Sequence, residues 1–234
     1  MRFIILFLVQ AALFLPPAAL RAQNPDAVEW PMVIIVLTAG DTITKAATYF
    51  RGDDVLSLEH GDGTTTTLTP VLVSSFVVTD KETNTSRHFR TYPWNHGRDY
   101  SDYLTPAFFE QLNTGKYMLL KREVMRNDIV RNDPFLNPYG GGFYGPGAGF
   151  PRWVTYTQEL FYLRTPKGNI ITLRNPKRDF KRLFASKHKL IKEYVRDNDL
   201  NYNRRNDLVK IVEYFNSLTD PNYKSALTYP VSKQ

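Results

Sequence analysis

Residues 33–69 read VIIVLTAGDTITKAATYFRGDDVLSLEHGDGTTTTLT, and their rhythm decides the fold class. Val33 to Thr38 is a short apolar run of the length of a buried strand, and Ala39-Gly40-Asp41 is a turn. Thr42 to Phe50 is rich in β-branched and aromatic residues, and Arg51-Gly52-Asp53-Asp54 turns the chain into Val55 to Glu59. His60-Gly61-Asp62-Gly63 offers two glycines for the positive φ of a tight hairpin, and Thr64 to Thr69 returns. Turns at intervals of eight to twelve residues predict an antiparallel meander, a curled sheet or small barrel.

The pattern continues in both directions along the chain. Val71 to Thr79, Arg87 to Tyr92, Ala107 to Leu112, Lys116 to Met125, Trp153 to Arg164 and Ile170 to Arg174 read as further strands. Asn113-Thr114-Gly115 and Thr165-Pro166-Lys167-Gly168-Asn169 read as hairpin turns. At Asn175-Pro176 the period changes from two to about 3.6. Asn175 caps a first helix with Pro176 at its first position, and Phe180, Leu183 and Phe184 share a face. Ser186 is expected to cap a second helix with Leu190, Ile191, Tyr194 and Val195 inward. Asn203 or Asn206 is expected to open a third, with Leu208, Ile211, Val212 and Phe215 inward. The fold expected is α+β: an antiparallel meander over residues 23–174, followed by three short helices over 175–234.

Met1-Arg2, the apolar run Phe3 to Leu15 and the small residues before Gln23 predict a cleavable secretory signal over residues 1–22. The apolar core is too short to span a bilayer as an anchor. The protein is therefore expected to be exported, in the periplasm or outside the cell, with no transmembrane helix after cleavage. There is no cysteine in the 234 residues, which excludes disulfides, a thiol nucleophile, thiolate metal sites and a lipidated cysteine.

The net charge of +7 is unevenly distributed. From Asn175 to the end the chain carries 13 Lys and Arg against 7 Asp and Glu, so the excess belongs to the helical end. Lys177, Arg178, Lys181 and Arg182 form its densest cluster, and the partner expected for them is an anionic surface, lipid or polysaccharide. Export argues against nucleic acid as the partner.

Catalytic motifs are lacking: HExxH, GxSxG and P-loop patterns do not occur, and neither a cofactor nor a metal is called for. His60 beside Asp53, Asp54 and Asp62 matches no calcium loop and reads as a polar turn. The stretch Tyr92 to Tyr103 holds Trp94, His96, Arg98, Asp99, Tyr100 and Asp102. Rings for sugar faces, with Arg and carboxylates for hydroxyls, make Trp94, Arg98 and Tyr100 candidate ligand contacts. His96, Asp99 and Asp102 are the candidate catalytic groups of an alternative reading as a glycan-directed hydrolase. Residues 132–153 hold six of the chain's 13 glycines and four of its 15 prolines among six aromatic residues. Tyr139, Phe143 and Tyr144 of this loop are candidate contacts for a ligand or an envelope protein.

The order of parts resembles that of uncharacterised exported bacterial proteins. The β-rich front has Thr38-Ala39-Gly40-Asp41-Thr42-Ile43, and the aromatic strand has Phe161-Tyr162-Leu163. The basic helical end has Phe180 to Phe184 and Asp207-Leu208-Val209 with Val212 and Tyr214. The resemblance brings no known activity to transfer; the expected role is binding or envelope association.

Overall fold

The structure, a computed structural model, describes residues 24–80, 85–98, 100–130 and 152–224. The expected signal segment, Asp99, and the loop residues Tyr139, Phe143 and Tyr144 lie outside the described residues. Strands β1 (Ala27–Leu37), β2 (Thr42–Phe50), β3 (Val55–Glu59), β4 (Thr65–Leu68) and β5 (Val73–Asp80) are followed by β6 (Thr85–Trp94), β7 (Thr105–Gln111), β8 (Met118–Val130), β9 (Arg152–Arg164) and β10 (Ile170–Thr172). They form one antiparallel sheet in the order β10-β9-β8-β7-β6-β5-β1-β2-β3-β4, open at both ends. Two meanders thus meet at β1, which pairs β2 on one side and β5 on the other.

The expected strands are all present: β2 and β3 have the expected bounds, β1 and β6 to β9 are longer, and β4, β5 and β10 are shorter. β1 begins at Ala27, upstream of the apolar run, because a bulge between Trp30 and Val33 accommodates Pro31 and its missing N–H. Of the two glycines at the β3–β4 turn only Gly63 adopts positive φ, at 81°.

The sheet curls until the β2–β3 turn meets β7 and β8. Those two strands pair only at Glu110↔Lys121 and Gln111↔Leu120, and then diverge. Asp54 of the turn enters there. Its carboxylate accepts from the Phe108 backbone N–H at 2.9 Å, Arg122 Nη1 at 3.1 Å and the Tyr49 hydroxyl at 2.7 Å. Asp54 itself has φ of 58°, a left-handed conformation that Asp tolerates better than most residues. A side chain thus closes what the ladder leaves open. Inside the curl Val33, Ile35, Tyr49, Leu56, Phe76, Phe89 and Phe108 form one core, with Phe76 and Phe89 stacked at 4.4 Å.

The chain ends in α1 (Pro176–Leu183), a 3-10 turn (Ala185–Lys187), α2 (His188–Asp197) and α3 (Arg205–Thr219). Asn175 caps α1 by accepting from the Arg178 N–H, and Asp179 accepts in return from the Asn175 N–H. Ser186 lies in the 3-10 turn and does not cap α2, and α3 starts at Arg205 with no side-chain cap from Asn203 or Asn206. Its first turn instead supplies Asp207, which accepts from the Asn201 N–H at 3.0 Å and so ties down the preceding loop. Leu190, expected inward, is 40 % exposed, and Ile191 alone of α2 is fully buried. Phe180, Phe184, Leu208, Ile211, Val212 and Phe215 pack on Leu112, Leu119, Leu163 and Leu173 of the sheet.

Asn216 of α3 joins the helices to the β7–β8 turn. Its side chain accepts from the Tyr117 N–H at 2.9 Å and donates to the Tyr117 carbonyl at 2.8 Å. Gly115 (φ 113°) lets it approach, since a Cβ there would fall 2.6 Å from the Tyr223 ring and 2.8 Å from Asn216 Nδ2. Replacing Asn216 with Ala leaves the part-buried Tyr117 N–H and carbonyl without these partners, so we expect a loss of about 1–3 kcal/mol. In a thermal melt this corresponds to a fall of roughly 2–4 °C per kcal/mol for a chain of this size. An unchanged melting temperature would show that the turn does not depend on α3.

Candidate functional site

The stretch rich in sugar-site residue types divides between core and solvent. Trp94 is buried, edge-on to Phe109 and Tyr162, with the Arg122 guanidinium 5.2 Å from its ring centre. Its face is covered. His96, at φ 56° in the β6–β7 turn, packs on Trp94 and hydrogen-bonds Thr105 Oγ1 through Nε2. Partial burial and then the Arg122 charge lower its pKa. Arg98, Tyr100 and Asp102 are exposed, and the structure gives Asp102 no buried setting that would suit a general acid. At the β3–β4 turn, His60 bonds Lys45 and Thr66, Asp62 bonds Thr64, and Asp54 points inward to Tyr49. Among the described residues no group of three or more His, Asp and Glu is arranged to hold a metal ion.

Sequence reasoning missed a charge network between the aromatic core and the helices. Lys121 is 2 % exposed, and its amine lies 2.9 Å from Glu110, 3.0 Å from Glu123 and 3.1 Å from Glu159. Arg87 bridges Glu110 at 2.6 Å and Glu123 at 2.8 Å, and Arg51 reaches Glu123 at 3.1 Å. Strand alternation explains the placement: Leu119, Lys121 and Glu123 share one face of β8, opposite Leu163, Phe161 and Glu159 of β9. Burial alone would raise the Glu123 carboxyl, but the charges of Arg87, Lys121 and Arg51 outweigh it and hold its pKa down to about 2. Burial likewise disfavours the Arg87 cation, and Glu110 and Glu123 reverse this to raise its pKa.

This cluster is filled space. The cavity beside it, walled by Trp30, Tyr49, Phe89 and Phe108, has a volume of about 10 Å³, room for roughly one water. With its cations and carboxylates matched, it lacks the unpaired group and the open position that a catalytic site needs.

The open concavity with consistent chemistry lies elsewhere, between α1 and α2. A groove of about 590 Å³ is lined by Asn175, Lys177, Arg178, Lys181, His188 and Lys192, with Val195, Arg196 and Tyr202 completing the wall. Among the described residues five cations face it, and no carboxylate is part of the lining. Three of them, Lys177, Arg178 and Lys181, belong to the basic cluster evident in sequence. The fourth member, Arg182, turns aside to Asp179 at 3.7 Å, and Arg196 is held by Asp197 at 2.9 Å. The α1 side chains come forward because Phe180 and Phe184 pin the opposite side of the helix to the sheet. Lys192 and Tyr202 were missed, because only the folding of α2 and its following loop brings them to α1.

Among the described residues no helix is long and apolar enough to cross a membrane. A scan against protein-family models, a search of curated proteins and a search of solved structures find no match to this chain.

Two outcomes follow from the network. Glu123 binds a proton near pH 4.5 when unfolded and only near pH 2 when folded, so its contribution to stability is complete above about 4.5 and is lost as the pH falls towards 2. Melting temperature against pH should drop through that window, and Glu123→Gln should flatten the drop. Lys121→Met removes one partner from a buried cluster and should cost about 3–5 kcal/mol in urea unfolding; a loss below about 1 kcal/mol would mean that water screens the carboxylates.

Proposed function

We propose that the protein is an exported, non-catalytic binding protein, and that the groove between α1 and α2 takes an acidic glycan chain. The observation that carries this reading is a concave site faced by Lys177, Arg178, Lys181, Lys192 and Arg196 with no carboxylate among the described residues of its lining. Such a site attracts anions along its whole length. A groove suits a chain that lies within it better than it suits a flat bilayer, and the Tyr202 ring provides an apolar patch for a sugar face. Uronic-acid carboxylates would meet the ammonium and guanidinium groups. The alternative reading as a hydrolase has weaker support, since His96 and Asp102 are exposed and Asp99 lies outside the described residues.

Titration with polygalacturonate, followed by calorimetry at rising salt, tests the reading. Affinity should fall steeply as the Debye length shortens from about 10 Å at 0.1 M to about 3 Å at 1 M. The triple variant Lys177→Gln, Arg178→Gln, Lys181→Gln should lose on the order of 100-fold, at about 1 kcal/mol per cation. Phosphatidylglycerol vesicles supply the contrast. Binding to vesicles without binding to the polysaccharide would make the partner a lipid surface, and binding to neither would leave the basic groove without a ligand role.

A further inference from the structure

β8 and β9 run on together beyond the rest of the sheet, paired from Met118↔Arg164 to Val130↔Arg152. β7 leaves β8 after Lys121, and β10 covers β9 only from Tyr162 to Arg164. Among the described residues the result is a two-stranded arm with no strand paired along either outer edge. Free edges invite pairing with another strand, and proteins commonly blunt them with charge or keep them short. The end strands β4 and β10 are only four and three residues long. Beyond Lys121, β8 carries the charged residues Arg122, Glu123, Arg126 and Asp128. By contrast β9 reads Trp153-Val154-Thr155-Tyr156-Thr157-Gln158, with no charge, proline or glycine, and with residues of high strand propensity.

The direction of its backbone groups is set by one bond. Leu173 N–H donates to the Phe161 carbonyl at 2.9 Å from the β10 side. Alternation therefore turns the N–H and C=O of Trp153, Thr155, Thr157 and Glu159 away from β8 as well. We propose that this edge is where two copies of the chain pair, antiparallel, with Tyr156 opposite Tyr156 on the two-fold axis. That register sets Thr155 against Thr157 and Trp153 against Glu159, so each outward backbone group finds a partner. Moving the centre to Thr157 would set Trp153 against Phe161, whose carbonyl is already taken by Leu173.

The second copy is favoured over an unrelated strand by what lies beside the edge. Glu159 and Phe161, together with Leu173, Tyr202 and Leu208, line an open groove of about 380 Å³ on the face where the helices pack. Trp153 lies on that same face by alternation and is 64 % exposed. In the two-fold register the Trp153 ring of each copy is opposite Glu159 of the other, at the mouth of this groove. Glu159 brings no unpaired charge to the contact, because Lys121 and Arg205 hold it at 3.1 and 3.6 Å. Tyr156, 44 % exposed, meets its own copy at a position without ladder bonds, where facing side chains come closest.

The absence of cysteine from the chain makes the register directly readable. In the proposed pairing the two Tyr156 Cα atoms are about 4.5 Å apart, inside the roughly 4.4–6.8 Å span of a disulfide. Gln158, on the same face, lies about 13 Å from its copy. Tyr156→Cys under mild oxidation should give a covalent dimer at least tenfold faster than Gln158→Cys, and the wild type should sediment as a dimer at micromolar concentration. A wild type that is monomeric throughout, or equal cross-linking of the two variants, overturns the proposal. So would a dimer that Tyr156→Cys fails to lock.

Discussion

An ammonium group with almost no access to water must be met by carboxylates, and Lys121 is met by three, from β7, β8 and β9. Each of these is engaged elsewhere: Glu110 and Glu123 hold Arg87 of β6, Glu123 also holds Arg51 of the β2–β3 turn, and Glu159 holds Arg205 of α3. One cation therefore ties the far turn of the curl to the helical end. The net contribution of such a cluster to stability is small, because desolvation consumes most of the Coulomb gain. Its effect is on specificity: a slip of β8 by one residue would carry Lys121 and Glu123 together to the opposite face and leave Glu110 of β7 buried without its ammonium partner.

Inside and outside, the same residue types do opposite things. In the network, cations and carboxylates are matched and almost no space remains. Along α1 and α2, Lys177, Lys181 and Lys192 have no carboxylate beside them in the groove wall. An electrostatic field that is cancelled within the sheet is thus left to act at the helical end, where an anion can reach it.

Local signals carried far in reading the fold. The β-branched runs and glycine turns placed the strands, and the change of period at Asn175-Pro176 placed α1 together with its cap. Ser186 misled because a 3-10 turn satisfies the chain there without a side-chain cap, and Leu190 misled because α2 buries a narrow stripe centred on Ile191. The basic cluster was legible as charge, but its groove was not, since Lys192 and Tyr202 arrive from later in the chain. Least legible was the network. Its members lie on six elements or turns, so no window of sequence contains them, and the only local trace is the pair of charged residues, Lys121 and Glu123, at inward positions of β8 following Leu119. Trp94 shows the converse, a residue of binding-site type that packing has claimed.

The crossing from β4 to β5 also orders events in time. β1, β2, β3 and β4 follow one another through short turns and can zip up locally as the chain emerges. β1 nevertheless keeps one edge bare until β5 arrives, 45 residues on, to pair Val33 with Val78. The last closures are later still: the bonds from Asn216 to Tyr117 and from Tyr223 to Thr114 span 99 and 109 residues. Long loops of this kind make folding slow. A chain cut short before α3 would keep β5 on β1 but leave Leu112, Leu119, Leu163 and Leu173 without the helix that covers them, and so should be prone to aggregation.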